Sequence, residues 1–252
     1  MKKISLFTLL TVSFVFSFAQ TSGVVDFTES IKIKIDIPDG QKELMKNMPT
    51  SQSVQKTLFF NEKESLYKNF DPKANGDVSF ENKEGGNDIK MVLRMPENIL
   101  YTNIEKNNYI NQIDFMGKQF LIVDDVKKKS WKITGEQQKI LDKTCTKAIL
   151  QDTAQKLVAW FTNELPTAIR PNTLAGLPGA VLMIDMNDGQ RTITANKITY
   201  RDLKPGEITV PEKGKKVNQA EFDKIKAEKM AEMGATNNGG ANMRIVIRNE
   251  EH

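Results

Sequence analysis

Apolar residues recur with a period of two through much of this chain, and that period constrains the fold more than any other feature. Over residues 30–37, Ile31, Ile33, Ile35 and Ile37 alternate with Lys32, Lys34 and Asp36. Successive side chains on a strand point to opposite faces, so this reads as a half-buried antiparallel strand with one wet face. Pro38-Asp39-Gly40 stops it, and a short helix over residues 41–46 follows. Residues 57–61 and 65–67 read as short strands around Glu62-Lys63, with turn-rich stretches at 71–76 and 84–87.

The middle of the chain is more regular. Residues 89–95, 99–104, 110–115, 119–124, 131–134, 140–150 and 156–162 all read as strands, at a spacing typical of antiparallel barrels and sandwiches. Phe120 to Val123 and Leu157 to Phe161 are apolar on both faces, which predicts central strands covered on both sides. Residues 181–186 and 191–200 flank Asn187-Asp188-Gly189, a strong hairpin signal because the turn requires φ > 0. The apolar phase slips between Ile193 and Ile198, which predicts a bulge near Asn196. Together these elements predict a mainly β chain, a curved antiparallel sheet or open half-barrel with one or two short helices; a β-sandwich is the alternative.

Both ends differ from this core. Lys2 and Lys3, an uncharged apolar run over 4–18, and small residues Ser17 and Ala19 follow the order of a secretory signal peptide cleaved after Ala19. The run is shorter than the roughly 20 residues of a membrane-spanning helix, and no later run is long enough, so the mature chain has no predicted membrane span. The organisation expected is a signal peptide at 1–19, a β-domain at 20–203 and a C-terminal extension at 204–252. In that extension, 204–217 reads as an exposed loop. Asn218 caps a surface helix running to about Met233, 234–242 is a flexible linker, and 243–248 is a terminal strand. That last segment could add to a sheet edge, its own or a partner's.

Composition then removes most chemistries. The chain holds one cysteine and one histidine, and the histidine is the last residue, His252. No intrachain disulfide, Cys-based zinc site, Ser–His–Asp unit or Cys–His unit can be built. The formal net charge of +4 falls to about +2 once Lys2 and Lys3 are removed, too balanced to predict nucleic-acid binding. No cofactor or metal is expected. Adjacent carboxylates Asp124 and Asp125 point to opposite strand faces and make no catalytic dyad; Asp185 and Asp188 flank the hairpin turn. No catalytic residue is assigned.

Three features stand out as sites. Gly176, Leu177, Pro178 and Gly179 lead into an apolar strand; Leu-Pro-Gly suits a type II turn with Gly at the third position, and the loop is a candidate for partner docking. Cys145 reads as a free thiol buried on a strand, with Lys143 and Lys147 near enough to favour a thiolate if the site were open. Asp152-Thr153-Ala154 lies at a turn between strands.

In order along the chain come Lys118-Gln119-Phe120-Leu121-Ile122, Trp131-Lys132-Ile133, Lys147-Ala148 after Cys145, Ala159-Trp160-Phe161-Thr162, Leu165-Pro166 and Gly176-Leu177-Pro178-Gly179. Over residues 99–202 this set resembles the GLPGLI family, exported proteins of Bacteroidota. Departures are Ala180-Val181 after the motif, Phe161 and Asp142. The resemblance implies export to the periplasm and carries over no catalytic residue. The strand pattern also resembles the open half-barrels of periplasmic lipoprotein carriers, a fold-level analogy. In that context Asp152-Thr153-Ala154 is similar to a short O-glycosylation pattern, with Thr153 as acceptor.

The expected function is an exported, non-enzymatic envelope protein that binds an apolar ligand or an outer-membrane protein partner on a curved sheet. The alternative is an accessory subunit of an outer-membrane transport complex, docking through an edge or tail strand. The sequence sets no oligomeric state.

Overall fold

A computed structural model describes residues 21–33, 49–71, 78–82, 89–93, 97–151 and 156–232. Its strands are β1 (Gly23–Lys32), β2 (Ser51–Phe60), β3 (Glu64–Asn69), β4 (Val78–Asn82), β5 (Ile89–Leu93), β6 (Asn98–Asn103) and β7 (Asn108–Phe115). They continue as β8 (Lys118–Asp125), β9 (Trp131–Ile140), β10 (Lys143–Leu150), β11 (Leu157–Thr162), β12 (Ala180–Met186), β13 (Arg191–Tyr200) and β14 (Lys215–Val217), followed by α1 (Gln219–Glu232). Twelve strands form one open curved sheet in the order β14-β8-β7-β6-β3-β2-β1-β13-β12-β11-β10-β9, and β4 pairs with β5 separately. The fold is mainly β and, apart from the parallel β14–β8 pair, the large sheet is antiparallel throughout.

β1 joins two antiparallel meanders. It pairs with β2 on one side (Gly23↔Phe60 to Lys32↔Ser51) and with β13 on the other (Gly23↔Tyr200 to Ile31↔Arg191). Its inward side chains are Val25, Phe27 and Glu29, all buried. Gly23 has to be glycine here, because a Cβ would stand 2.5 Å from the Thr199 carbonyl oxygen. The isoleucine alternation predicts a strand over 30–37, whereas β1 starts at Gly23 and ends at Lys32. Glu29 sits in an inward position and breaks the apolar alternation that would otherwise have marked the strand. Residues 34–48, including the helix expected at 41–46, lie outside the described residues.

Other expectations hold in detail. Asp26 pairs with Lys197 and Phe27 with Ala195, which leaves Asn196 as the bulged residue. Asn187, Asp188 and Gly189 take φ of 53°, 56° and 79° between β12 and β13, as the hairpin requires. Asn218 caps α1: its Oδ1 accepts from the Glu221 backbone N–H at 2.8 Å, and Glu221 Oε2 accepts from the Asn218 N–H at 2.9 Å, a reciprocal capping box.

Three expectations are corrected. The strand predicted over 140–150 contains a turn, since Leu141 and Asp142 both have positive φ and close the β9–β10 hairpin; β9 accordingly extends to Ile140. Residues 215–217 of the predicted loop form β14, paired in parallel with Phe120–Ile122. Gly214, at φ 121°, lets the chain approach β8, where a Cβ would meet the Phe120 backbone at 2.8 Å. Finally, β8 and β11 are second and third from the ends of the sheet, not central. Their outward residues Leu121, Val123, Val158 and Trp160 are half-buried, so the apolar second face reflects partial cover rather than a middle position.

One buried core runs along the inward face from Phe120 and Ile122 through Phe27, Leu58 and Phe60 to Leu182, Ile184 and Ala148. Burial of a large aliphatic or aromatic side chain contributes about 1.5–3 kcal/mol, which makes this layer the main stabilising term. α1 closes one end: Phe222 packs edge-on to Phe115 and Phe120, with ring centroids 5.7 and 5.3 Å away. The segment 163–179 closes the other, burying Leu165, Ile169 and Ala175. Among the described residues no helix is long and apolar enough to cross a membrane.

Candidate functional site

The residues singled out by sequence do not converge. Gly176 has φ 115°, and a Cβ there would stand 2.5 Å from the Lys129 carbonyl oxygen. The neighbouring Ala175 carbonyl accepts from the Lys129 N–H at 2.9 Å and from Trp131 Nε1 at 3.1 Å. Gly179 is buried, and its Cβ would lie 2.0 Å from the Thr162 carbonyl oxygen. Its φ is not positive, so the type II turn expected at Leu177-Pro178-Gly179 does not form; the glycine is required by close approach instead. Leu177 packs against the core while Pro178 stays exposed. The motif therefore straps segment 163–179 to β9 and β11.

Cys145 is a free, fully buried thiol, and burial pushes its pKa up to about 11. Asp124 Oδ2 accepts from the Gln219 backbone N–H at 3.1 Å at the start of α1, which is structural work. Asp185 Oδ1 accepts from the Gly189 N–H, and Asp188 pairs with Lys156 at 3.0 Å, so both serve the hairpin and its flank. Thr153, His252, the signal segment and the terminal strand lie outside the described residues. Among the described residues no group of three or more His, Cys, Asp or Glu side chains is placed to hold a metal ion.

Two arrangements come from the tertiary structure. The first is a charged cluster on the buried face. Glu29 and Lys56 are each 3% exposed, and Arg191 Nη2 lies 2.6 Å from Glu29 Oε1. Lys56 Nζ stands 5.7 Å from the centroid of the Tyr67 ring, and Tyr67 meets Phe27 edge-on. Burial lowers the Lys56 pKa, partly offset by Glu29, and burial raises the Tyr67 phenol well above its ordinary range. Nearby, Asn69 Oδ1 and Asn98 Oδ1 are buried with no hydrogen-bond partner among the described residues. The sequence signal for this cluster is one of phase: Lys56 falls in step with Val54, Leu58 and Phe60, and Glu29 with Val25 and Phe27.

The second is a groove of about 260 Å³ on the opposite, outward face of β13, β1 and β2. Val24, Asp26, Phe59 and Thr199 form its floor, in register as Val24↔Phe59 and Val24↔Thr199. One wall is Lys68 and Phe70, the latter 66% exposed; Lys68 Nζ lies 5.2 Å from the centroid of Phe59. The other wall is the turn from Arg201 to Glu207. Arg201 Nη1 and Nη2 donate to the two Glu207 carboxylate oxygens at 2.7 and 2.6 Å, and the Lys204 N–H donates to the same carboxylate. These bonds hold the Glu207 pKa down at about 2. Arg201 is itself anchored by reciprocal bonds with Ser22. The wall is therefore held in place by the protein's own hydrogen bonds.

A family model described as the N-glycanase peptide, N-terminal domain, matches residues 85–225, more than half of the chain. The chain belongs to this family. The stretch shared with the N-glycanase peptide N-terminal domain contains β6 to β14, the 176–179 loop and the Arg201–Glu207 turn. It leaves out β1 to β3, which supply most of the groove floor and all of the buried cluster except Arg191. No curated protein sequence matches the chain. Two solved structures of PNGF-II, in space groups P21 and C2, are similar to it at 16% and 15% identity, each covering 81% of this chain with a TM-score of 0.48. The chain spans about a third of the length of those solved chains (33% and 32%).

Proposed function

We propose that this protein is an exported, non-enzymatic binding module of the cell envelope that holds its partner at the groove on the outward face of β13, β1 and β2. The observation that carries the reading is the pairing of an exposed aromatic wall, Phe70, with a pre-ordered polar wall, Arg201–Glu207. Sites that bind tightly keep their polar groups positioned before the partner arrives, which lowers the ordering cost. Export rests on the N-terminal lysine pair, apolar run and small residues, and on the resemblance to the GLPGLI family. The name of the matching family supports a role beside glycan-bearing peptides, as an N-terminal module rather than a cleaving centre. The apolar-ligand form of the reading asks for a cavity of ~300–1,000 Å³. The inward face is instead occupied by Phe27, Leu58, Phe60 and their neighbours, which favours a partner outside.

The test is a photo-crosslinking side chain placed at Phe70 in the exported protein, with Ile133 on β9 as the comparison position. The reading expects a discrete adduct from Phe70 in intact cells. Turnover of an N-linked glycopeptide by the purified chain would replace the non-enzymatic reading with a catalytic one.

A second reading, an accessory subunit docked by strand addition, is favoured by β9. Among the described residues this ten-residue strand ends the sheet and pairs only with β10, and it carries Ile133 at 53% exposure. An adduct from Ile133 and none from Phe70 would select it.

A further inference from the structure

The charges that line the groove cancel. Asp26 and Glu207 are carboxylates, and Lys68 and Arg201 are cations. Glu207 is saturated by Arg201 and the Lys204 N–H, and Asp26 Oδ1 already accepts from Thr57 Oγ1 at 3.2 Å. An ion entering the groove would surrender its hydration and meet one like charge for each opposite one, so neither an anion nor a cation gains. A purely apolar ligand would strip water from Asp26 and Lys68 without replacing their hydrogen bonds. An extended peptide adding as a strand needs a free sheet edge, and β13, β1 and β2 are each paired on both sides.

What remains is a neutral ligand with an apolar face and a polar rim. The floor offers Val24 and Phe59 to the apolar face, and Phe70 stands exposed beside it. The volume, about 260 Å³, falls just below the ~300–1,000 Å³ range of sites for drug-sized ligands, which suits one ring. We propose that the groove binds a single neutral sugar ring, either free or as the end of a glycan. Its C–H face lies on the phenylalanines, and its hydroxyls reach Asp26, Thr199 and Lys68. Hydroxyls both donate and accept, so they can satisfy a carboxylate, a hydroxyl and an ammonium at once. This assignment rests on the binding-module reading and names the ligand class of the same groove.

The experiment is amide chemical-shift mapping of the full mature chain with free neutral monosaccharides, paired with an array of immobilised neutral glycans. Expected is a response confined to residues 24–26, 57–59, 68–70 and 199–201, weakened about tenfold or more by Phe70→Ala and by Asp26→Asn. Glu136→Gln on β9 should bind as the unmodified protein does. Phe70 is largely exposed, so its truncation leaves the fold intact, and the remaining spectrum verifies this. A response to monosaccharides places the free sugar in the site; a response to arrayed glycans alone places a glycan terminus there. No response to either, or binding insensitive to both substitutions, overturns the sugar assignment. If the Phe70 crosslink still captures a partner in that case, the binding-module reading stands; if it captures none, both fall.

Discussion

Arg191 Nη2 lies 2.6 Å from Glu29 Oε1 beneath the β1–β13 ladder, and Glu29 is 3% exposed there. Removing one partner of a buried ion pair leaves the other charge desolvated, at a cost of about 3–5 kcal/mol. Arg191→Ala, which leaves Glu29 unpaired at 3% exposure, should therefore lower the free energy of unfolding by that order, more than Glu136→Ala at the surface, where the pair with Lys147 is worth under about 1 kcal/mol. Urea titration of both variants decides it. Equal, small losses would mean that the Glu29–Arg191 pair does not anchor the β1–β13 seam.

Gly179→Ala would place a methyl group 2.0 Å from the Thr162 carbonyl oxygen, at a buried position with no room to shift. Overpacking of this kind costs about 1–3 kcal/mol or more. Gly135, on β9, has nothing within 4 Å of its Cβ, so Gly135→Ala should be close to neutral. Thermal melts of the two variants should separate clearly.

Cys145 should behave as an inert thiol. Burial raises its pKa to about 11, so the thiolate fraction is negligible at pH 8. A disulfide reagent should leave the native protein unlabelled and react fully once it is unfolded. Fast labelling of the native state would restore a reactive role for this residue.

Glu207 gives the clearest pH signature. The Arg201 fork, then the Lys204 N–H, depress its pKa to about 2. A depressed carboxyl contributes stability that is fully present above the ordinary carboxylate range, and this is lost as pH falls toward about 2. A carboxyl-carbon NMR titration should find its midpoint near 2, and Arg201→Gln should return it toward about 4.3. A wild-type midpoint near 4 would mean that the groove wall is not pre-ordered.

The parts of this fold legible in the sequence are local ones. The Asn196 bulge showed as a phase slip, the β12–β13 turn as Asn-Asp-Gly, and the α1 cap as Asn218 with Glu221 three residues on. Each signal spans a few residues, because backbone φ, side-chain phase and capping bonds are short-range. The Leu141-Asp142 turn carries no comparable signal, since leucine rarely takes a positive φ and no glycine stands beside it. The glycines at 176 and 179 stand out in the sequence as a motif, but only their distances to Lys129 and Thr162 explain why they are small.

By itself the sequence determined a mainly β chain, most of its strands and several of its turns, because a period of two is written residue by residue. Tertiary structure alone decided that β1 lies at the middle of the sheet, paired with residues nearly 180 positions away, as Gly23↔Tyr200 is. That pairing sets which face of β1 is buried. It therefore makes Glu29 a buried charge and places Asp26 and Val24 in the floor of an outward groove with Phe59, Thr199 and Arg201. Charges and aromatics scattered along a chain become a site only when distant strands bring them onto one face, and no local pattern encodes that contact.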